Sequence, residues 1–370
     1  MRYLSVCSGV EAASVAWHPL GWKPVAFSEI EGFPSAVLKH HYPETPNLGD
    51  LTKIDGKSLK GKIDLIVGGT PCQSFSLAGL RKGLEDPRGN LSLAFLRLVD
   101  QAQPKYFIWE NVPGVLSSSK GQDFASFIGA VAEIGYRGAW RVLDAQYFGL
   151  AQRRKRVFFV GCSSESGVNP GEILFDSQSL RGDSTPVSTK GCATAGGLQK
   201  SLRKSGTDSR LGQLPLVLKI RGGKPGGGKG PLINQDQWFT LATSQDQTLL
   251  DAQSRVRRIT PIESERLQGF PDNYTQISWK GKPAELCPDG PRYKAMGNSM
   301  AVPVMRWIGE QIDRADKYQR EVEYLNQRYE RNLAQMREDE VEILNYQRVA
   351  RNAAQIQEDL ENEYRAFGDC

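Results

Sequence analysis

Residues 68–76 read Gly-Gly-Thr-Pro-Cys-Gln-Ser-Phe-Ser and follow the apolar run Ile63-Asp64-Leu65-Ile66-Val67. The Cys72 thiol thus stands directly after Pro71 at the end of an expected buried strand, where open α/β sheets assemble their sites. Trp109-Glu110-Asn111-Val112-Pro113 closes a second apolar run, and Gln152-Arg153-Arg154-Lys155-Arg156 precedes a third, Val157-Phe158-Phe159-Val160. A thiol, a carboxylate and a guanidinium cluster at three strand edges suit a nucleophile, a proton handler and an anion stabiliser in one pocket. Each is weak alone, since a mid-chain cysteine is more often a small buried hydrophobe and a strand-end glutamate more often solvated. Their combination carries the signal.

The elements that must position these groups are visible in the hydrophobic pattern. Leu4–Val6, Lys23–Phe27, Ile63–Val67, Tyr106–Trp109 and Val157–Val160 read as strands, while Leu91–Gln101 and Asp123–Ile134 have apolar positions at helical spacing. Such alternation predicts an α/β fold, a doubly wound parallel sheet with helices on both faces. After Gly161 the texture changes: residues 163–254 are rich in Gly, Ser, Thr and Gln, with strand-like stretches at Leu214–Ile220 and Trp238–Leu241, and predict a smaller irregular domain. Helical order returns over residues 255–309, where Thr260-Pro261 caps Glu263–Leu267. The boundaries expected are therefore 1–162, 163–254, 255–309 and a helical extension, 310–370.

A chain of 370 residues with 39% hydrophobic and 24% charged content is an ordinary globular composition. No stretch approaches the ~20 apolar residues needed to span a bilayer, and the N-terminus lacks a signal peptide's apolar core, so cytoplasmic residence is the expectation. Six scattered cysteines without a CxxC pair, and three histidines without zinc-finger spacing, predict reduced thiols and no structural metal. The net charge of +5 divides unevenly: residues 310–370 hold 9 basic and 15 acidic side chains, leaving +11 on residues 1–309. A basic body suits a polyanionic partner.

The Pro-Cys-Gln, Glu-Asn-Val and Gln-x-Arg-x-Arg signatures, in this order, resemble the DNA (cytosine-5)-methyltransferase family of prokaryotic and phage type, over residues 4–161 and 255–308. The resemblance implies a Rossmann-like methyltransferase fold with a mostly parallel sheet, S-adenosyl-L-methionine as methyl donor, and double-stranded DNA as partner. It implies Cys72 as the thiolate that adds to cytosine C6 and Glu110 as the acid at ring N3. Arg156 would steady the cytosine O2, and Arg154 would orient the loop or a phosphate. Arg153 and Lys155 alternate outward as solvated charge. For the donor it implies Gly9 and Val10 in the first turn, Glu29 on the ribose hydroxyls, Ile30 against the adenine and Asp50-Leu51 on the adenine. Pro71, Leu91 and Gly297-Asn298-Ser299 complete that pocket. Where the family carries Phe-x-Gly-x-Gly-Gly, this chain reads Cys7-Ser8-Gly9-Val10-Glu11-Ala12, and only Gly9 survives.

The lid-like segment Leu80–Gly89 is expected to close on DNA, with Gln73, Ser76 and Arg81 reaching the duplex. Residues 163–254 take the place of the family's target recognition domain, with Arg221, Lys224, Lys229, Asn234, Gln235 and Gln237 as candidate DNA contacts. Thr240-Leu241 resembles a pair common late in such domains. Gly223–Gly230 nearly spells a phosphate loop, but Gly230 stands where the magnesium-holding Ser/Thr belongs and Pro231 denies the following helix. The competing expectations are a tRNA cytosine-5 methyltransferase and a catalytically silent DNA-binding scaffold. In the tail, Val322, Tyr329, Met336 and Ile343 recur every seven residues, but the companion seam continues from Leu325 to Asn332 and Asp339. A monomer is expected, with a tail that folds back, packs along the body or pairs with another copy.

Overall fold

The computed structural model describes residues 1–70, 91–175 and 256–367 and, between the last two, 216–219, 232–234, 238–241, 243 and 247–250. Two units are distinguished, Met1–Ala315 and Asp316–Cys370. In the first, strands β1 (Arg2–Val6), β2 (Lys23–Ser28), β3 (Leu65–Gly68), β4 (Tyr106–Asn111), β5 (Tyr136–Asp144) and β6 (Lys155–Ser163) form one sheet in the order β2-β1-β3-β4-β6-β5. The pairs β1–β2, β1–β3 and β3–β4 are parallel, whereas β6 runs antiparallel to both β4 and β5.

Side chains alternate across this sheet, as the period of two requires. Tyr106, Ile108, Phe158 and Val160 face one core with Trp17, Met296, Met305 and Ile308. Phe107, Trp109, Val157 and Phe159 face the other, with Phe95, Leu96, Phe124 and Phe127. Helices α1 (Ala12–Trp17), α2 (Gly32–His41), α3 (Leu91–Ala102), α4 (Gln122–Glu133) and the short α5 (Pro170–Leu174) accompany the strands. All five expected strands and both expected helices are present, and the sheet is mostly parallel and wound on both faces. β5 was not expected. Its Arg137, Gly138, Trp140 and Val142 leave much of the strand in solvent, because an edge strand has a single neighbour.

A second sheet has the antiparallel order β10-β9-β7-β8, from β7 (Leu216–Lys219), β8 (Leu232–Asn234), β9 (Gln247–Leu250) and β10 (Val256–Arg258). It extends past residue 254, so β10 belongs to the smaller sheet. Trp238–Leu241 is not a strand. Trp238 makes one parallel bridge to Gln152 and exchanges backbone hydrogen bonds with Ala151 and Arg153, which draws this stretch onto the larger sheet's motif.

Helix α6 (Pro261–Gln268) begins with the expected cap: Glu263 N–H donates to Thr260 Oγ1 at 3.2 Å, and Thr260 N–H donates to the Glu263 carboxylate at 2.7 Å. Helix α7 (Asp289–Asn298) follows, then α8 (Val302–Phe367), a single continuous helix of 66 residues. Tyr329, Met336 and Ile343 on it are all exposed. Among the described residues no helix is long and apolar enough to cross a membrane.

Gly138 and Gly161 stand opposite each other in the β5–β6 register, and aromatic rings occupy the space their missing side chains leave. A Cβ at Gly161 would meet the Phe107 ring at 2.0 Å, and one at Gly138 the Phe159 ring at 2.0 Å. Replacing Gly161 by Ala therefore forces rings out of a closed stack. We expect Gly161→Ala to cost about 1–3 kcal/mol, read as a lowered midpoint in chemical denaturation with an unchanged slope.

Candidate active site

The site lies along the carboxyl ends of the parallel strands, at the crevice where the chain order switches from β1–β2 to β1–β3. Cys7 and Gly9 follow β1, Glu29 follows β2, Gly69 and Thr70 follow β3, and Glu110 ends β4. Because β6 is antiparallel, its beginning arrives at the same edge, and Phe158 pairs with Glu110 in the register. A cavity of about 1030 Å³ results, lined by Glu29, Asp50, Glu110, Arg154, Arg156 and Asn298 among others.

Glu110 and Arg156 form an ion pair at its floor, with Arg156 Nε 3.0 Å from Glu110 Oε1 and side chains 16% and 13% exposed. Burial pushes the Glu110 carboxyl above the usual carboxylate range, while Arg156 and Arg154 pull it back. Gly69 makes room for that carboxylate, since a Cβ there would stand 2.8 Å from Glu110 Oε2. Arg154 is held differently. Its Nη2 donates to Ser299 O at 2.7 Å and Gly297 O at 3.2 Å, and burial lowers its pKa to about 9. Gln152, also buried, donates to Leu267 O and accepts from Leu241 N–H at 2.9 Å, while Thr240 Oγ1 donates to Arg153 O at 2.7 Å. Arg153 and Lys155 point outward, as their alternation predicts.

The residue before Pro71 is fixed from three sides. Thr70 Oγ1 bonds with Ser92 Oγ at 2.6 Å and accepts from Trp109 Nε1 at 2.8 Å, and Asn111 Nδ2 donates to Thr70 O at 3.0 Å. Trp109 and Asn111 thus position the chain that leads to Cys72, while Glu110 between them faces the cavity. Cys72 itself, with Pro71, Gln73, Ser76 and Arg81, lies outside the described residues, as do Arg221, Lys224, Lys229, Gln235 and Gln237 and the side chain of Asn234.

Of the residues expected on the donor, Gly9, Glu29, Ile30, Asp50, Leu51, Leu91 and Asn298 line the large cavity. Ser299 lines a smaller adjoining one, and Val10 is fully buried in the core, lining neither. Glu29 accepts from Gly9 N–H at 2.8 Å and Glu31 N–H at 2.7 Å. Asp50 accepts two hydrogen bonds from Thr52, which hold its pKa below the ordinary value and keep it a charged acceptor. Sequence reasoning missed Trp279, Phe33, and the Lys294–Glu31 pair at 2.7 Å, all of which line the same cavity. Trp279 meets Phe33 edge to face at 5.4 Å. No local pattern announces such a wall, because its halves are far apart in the chain.

The sequence profile of the C-5 cytosine-specific DNA methylases matches residues 1–188 and 198–314. The chain belongs to this family. It is 32% identical to the Type II methyltransferase M1.ScrFI of Lactococcus lactis subsp. cremoris, over 84% of this chain and 77% of that protein. It is also 32% identical to M.SsoII of Shigella sonnei, over 84% and 79%. A protein of Escherichia phage P1 named DNA N-6-adenine-methyltransferase is 34% identical over 86% of this chain, which spans 62% of that protein's length. Among solved structures, Schizosaccharomyces pombe (S. pombe) Dnmt2 shares the fold, with a TM-score of 0.55 and 15% identity over 85% of this chain and 98% of that one. A prophage-encoded E. coli protein described as a DNA modification methyltransferase gives 0.56 and 19%, over 85% and 99%.

Removing the cation of the floor pair leaves the Glu110 carboxylate without its ion-pair partner and with only the more distant field of Arg154. We expect Arg156→Gln to cost about 3 kcal/mol at pH 8. Without Arg156 the folded-state pKa of Glu110 rises further above its unfolded value. The loss should therefore shrink as pH falls through that raised pKa and Glu110 takes up a proton. Urea denaturation of both proteins at pH 8 and pH 5.5 checks the direction.

Proposed function

We propose that this chain transfers a methyl group from S-adenosylmethionine to C5 of cytosine in a specific double-stranded DNA sequence, by base flipping and a transient Cys72–C6 bond. The observation that carries the reading is the buried Glu110–Arg156 pair at the floor of a large cavity on the sheet's carboxyl edge. The cavity fits the methyl donor by its chemistry. Charged acceptors Glu29 and Asp50 stand beside the aromatic wall of Phe33 and Trp279, and Gly9, at φ +57°, lets the backbone approach closely. When bound there, S-adenosylmethionine supplies an electrophilic methyl group.

The target carbon is hidden inside a stacked helix, so the base must leave it first. The Cys72 thiolate then adds to C6 and pushes an electron pair through the ring towards N3 and O2. Glu110, whose carboxyl burial holds its proton more firmly than usual, donates to N3, and Arg156 faces the charge growing on O2. General acid help of this kind is worth roughly 100- to 10,000-fold. C5, now an enamine carbon, would take the methyl group as the methyl–sulfur bond breaks to leave a neutral thioether, and the N3 proton would return to Glu110. Loss of the C5 proton to a base and expulsion of Cys72 restore the aromatic ring. Arg154 holds the Asn298–Ser299 turn against this floor.

The phage P1 relative's name refers to N6 of adenine. An exocyclic amine attacks with its own lone pair and needs neither a thiolate nor an acid at ring N3, so the present set favours carbon methylation. A tRNA substrate would use the same groups; the basic residues between 200 and 229 and the small antiparallel sheet favour duplex DNA.

A duplex carrying 5-fluorocytosine at the methylated position blocks the final proton loss. The full chain with S-adenosylmethionine should form a denaturation-resistant cross-link to that duplex and none to tRNA, and Cys72→Ser should abolish it while cofactor affinity stays. No cross-link to any methylated duplex would refute the mechanism.

A further inference from the structure

Glu11 is a carboxylate where the related first-strand turn carries glycine, at a backbone φ of +67° that side chains rarely adopt. It is 1% exposed. One oxygen is occupied: Oε1 accepts from Ser14 N–H at 3.0 Å and Ser14 Oγ at 3.1 Å, capping α1. The other, Oε2, has no hydrogen-bond partner among the described residues. Glu11 lines a cavity of about 40 Å³, together with Ser5, Cys7, Gly9, Asn298 and Ser299 among others, that shares Cys7, Gly9, Gly69, Glu110 and Asn298 with the large one.

Among the described residues no cation pairs with Glu11. Tyr3 from β1, Tyr42 after α2 and Tyr274 after α6 face Glu11 as neutral phenols, and Cys7 and Glu110 border the same cavity. Arg154 lines the large cavity and not the small one; its Nη2 donates to Ser299 O and Gly297 O, and its Nε and Nη1 have no hydrogen-bond partner among the described residues. Burial, opposed by the nearby Ser5 hydroxyl and by the hydrogen bonds from Ser14, pushes Glu11 up to about 7, and no cation is among the groups that set its ionisation. A buried carboxylate that must ionise without a partner is costly, so a fold that keeps one has a use for the charge.

We propose that Glu11 receives the α-ammonium group of the methionyl end of S-adenosylmethionine through its free Oε2. This rests on the methyl-donor reading above. The small cavity has room for a group of about the size of one water molecule, which an ammonium matches. The methionyl carboxylate is repelled from the same place by Glu11 and Glu110. The cap on α1 and the ligand contact use different oxygens, so the residue orders the turn in the free protein and closes on the donor when it arrives. Pairing requires the ionised form. Binding therefore expels a proton below pH 7, and donor affinity falls with falling pH by up to about tenfold per unit.

Calorimetric titration of the full chain with S-adenosylhomocysteine and its desamino analogue separates the ammonium from the sulfonium charge. The wild type should prefer the amino compound by about tenfold to a hundredfold, the worth of a charged hydrogen bond. Its affinity should fall between pH 8 and pH 6. Glu11→Gln keeps an oxygen for Ser14; it should lose that preference and that pH dependence, with desamino binding unchanged. Equal binding of both compounds by the wild type, or a preference retained by Glu11→Gln, overturns the assignment. Should Glu11→Gln not fold, the wild-type preference and its pH dependence still decide. If the wild type binds neither compound, the methyl-donor reading falls as well.

Discussion

The reversal of β6 against β4 is the constraint on which the site depends. In a wholly parallel sheet the residues that precede a strand lie at the opposite edge from those that end its neighbour. Here the antiparallel register sets Val157 beside Asn111 and Phe158 beside Glu110, so the arginines leading into β6 meet the glutamate leaving β4. Two charges are thereby taken out of water together at 3.0 Å. Neither would be tolerable there alone. Burial raises the Glu110 carboxyl and the guanidiniums lower it, which leaves a group able both to hold a proton and to release it.

Residues flanking the charged pair hold it by side-chain hydrogen bonds to neighbouring segments. In Trp109-Glu110-Asn111 the outer two bind Thr70. In Gln152-x-Arg154-x-Arg156 the first residue grips the end of α6 and Leu241, and the second grips Gly297 and Ser299. Each motif is thus a chemical group between brackets, and the brackets tie β3, α6, the end of α7 and the Thr240–Leu241 stretch to the cavity floor. Removing a bracket would displace the chemistry without touching a reacting atom.

Much of this was legible because it is local. Strands buried on both faces read as continuous apolar runs, and the alternation of Arg153 and Lys155 against Arg154 and Arg156 follows from the strand period. The edge strand β5 was not legible, because exposed Arg137, Trp140 and Val142 break the run that burial imposes on its neighbours. Trp238 resembled a strand but docks on Gln152, a tertiary preference that no local pattern records. Val256–Arg258 pairs with Leu250–Thr248, a partnership the composition on either side of residue 254 does not mark. Trp279 joins Phe33 from nearly 250 residues away. Glu11 was visible as a departure from the glycine pattern, but only burial shows that one of its oxygens is left over.

The topology also sets several carboxylates apart from the arginines. Glu11, Glu29 and Asp50 follow the first two strands, while Arg154 precedes β6 and Arg156 lies at its start, beside Glu110. On the proposed function, a methyl donor cationic at sulfur would sit by the carboxylates, and the guanidiniums would face the electron density that develops on a pyrimidine ring. The antiparallel direction of β6 therefore both brings Arg156 to Glu110 and sets Arg154 and Arg156 on the side of the sheet away from Glu29, which follows β2.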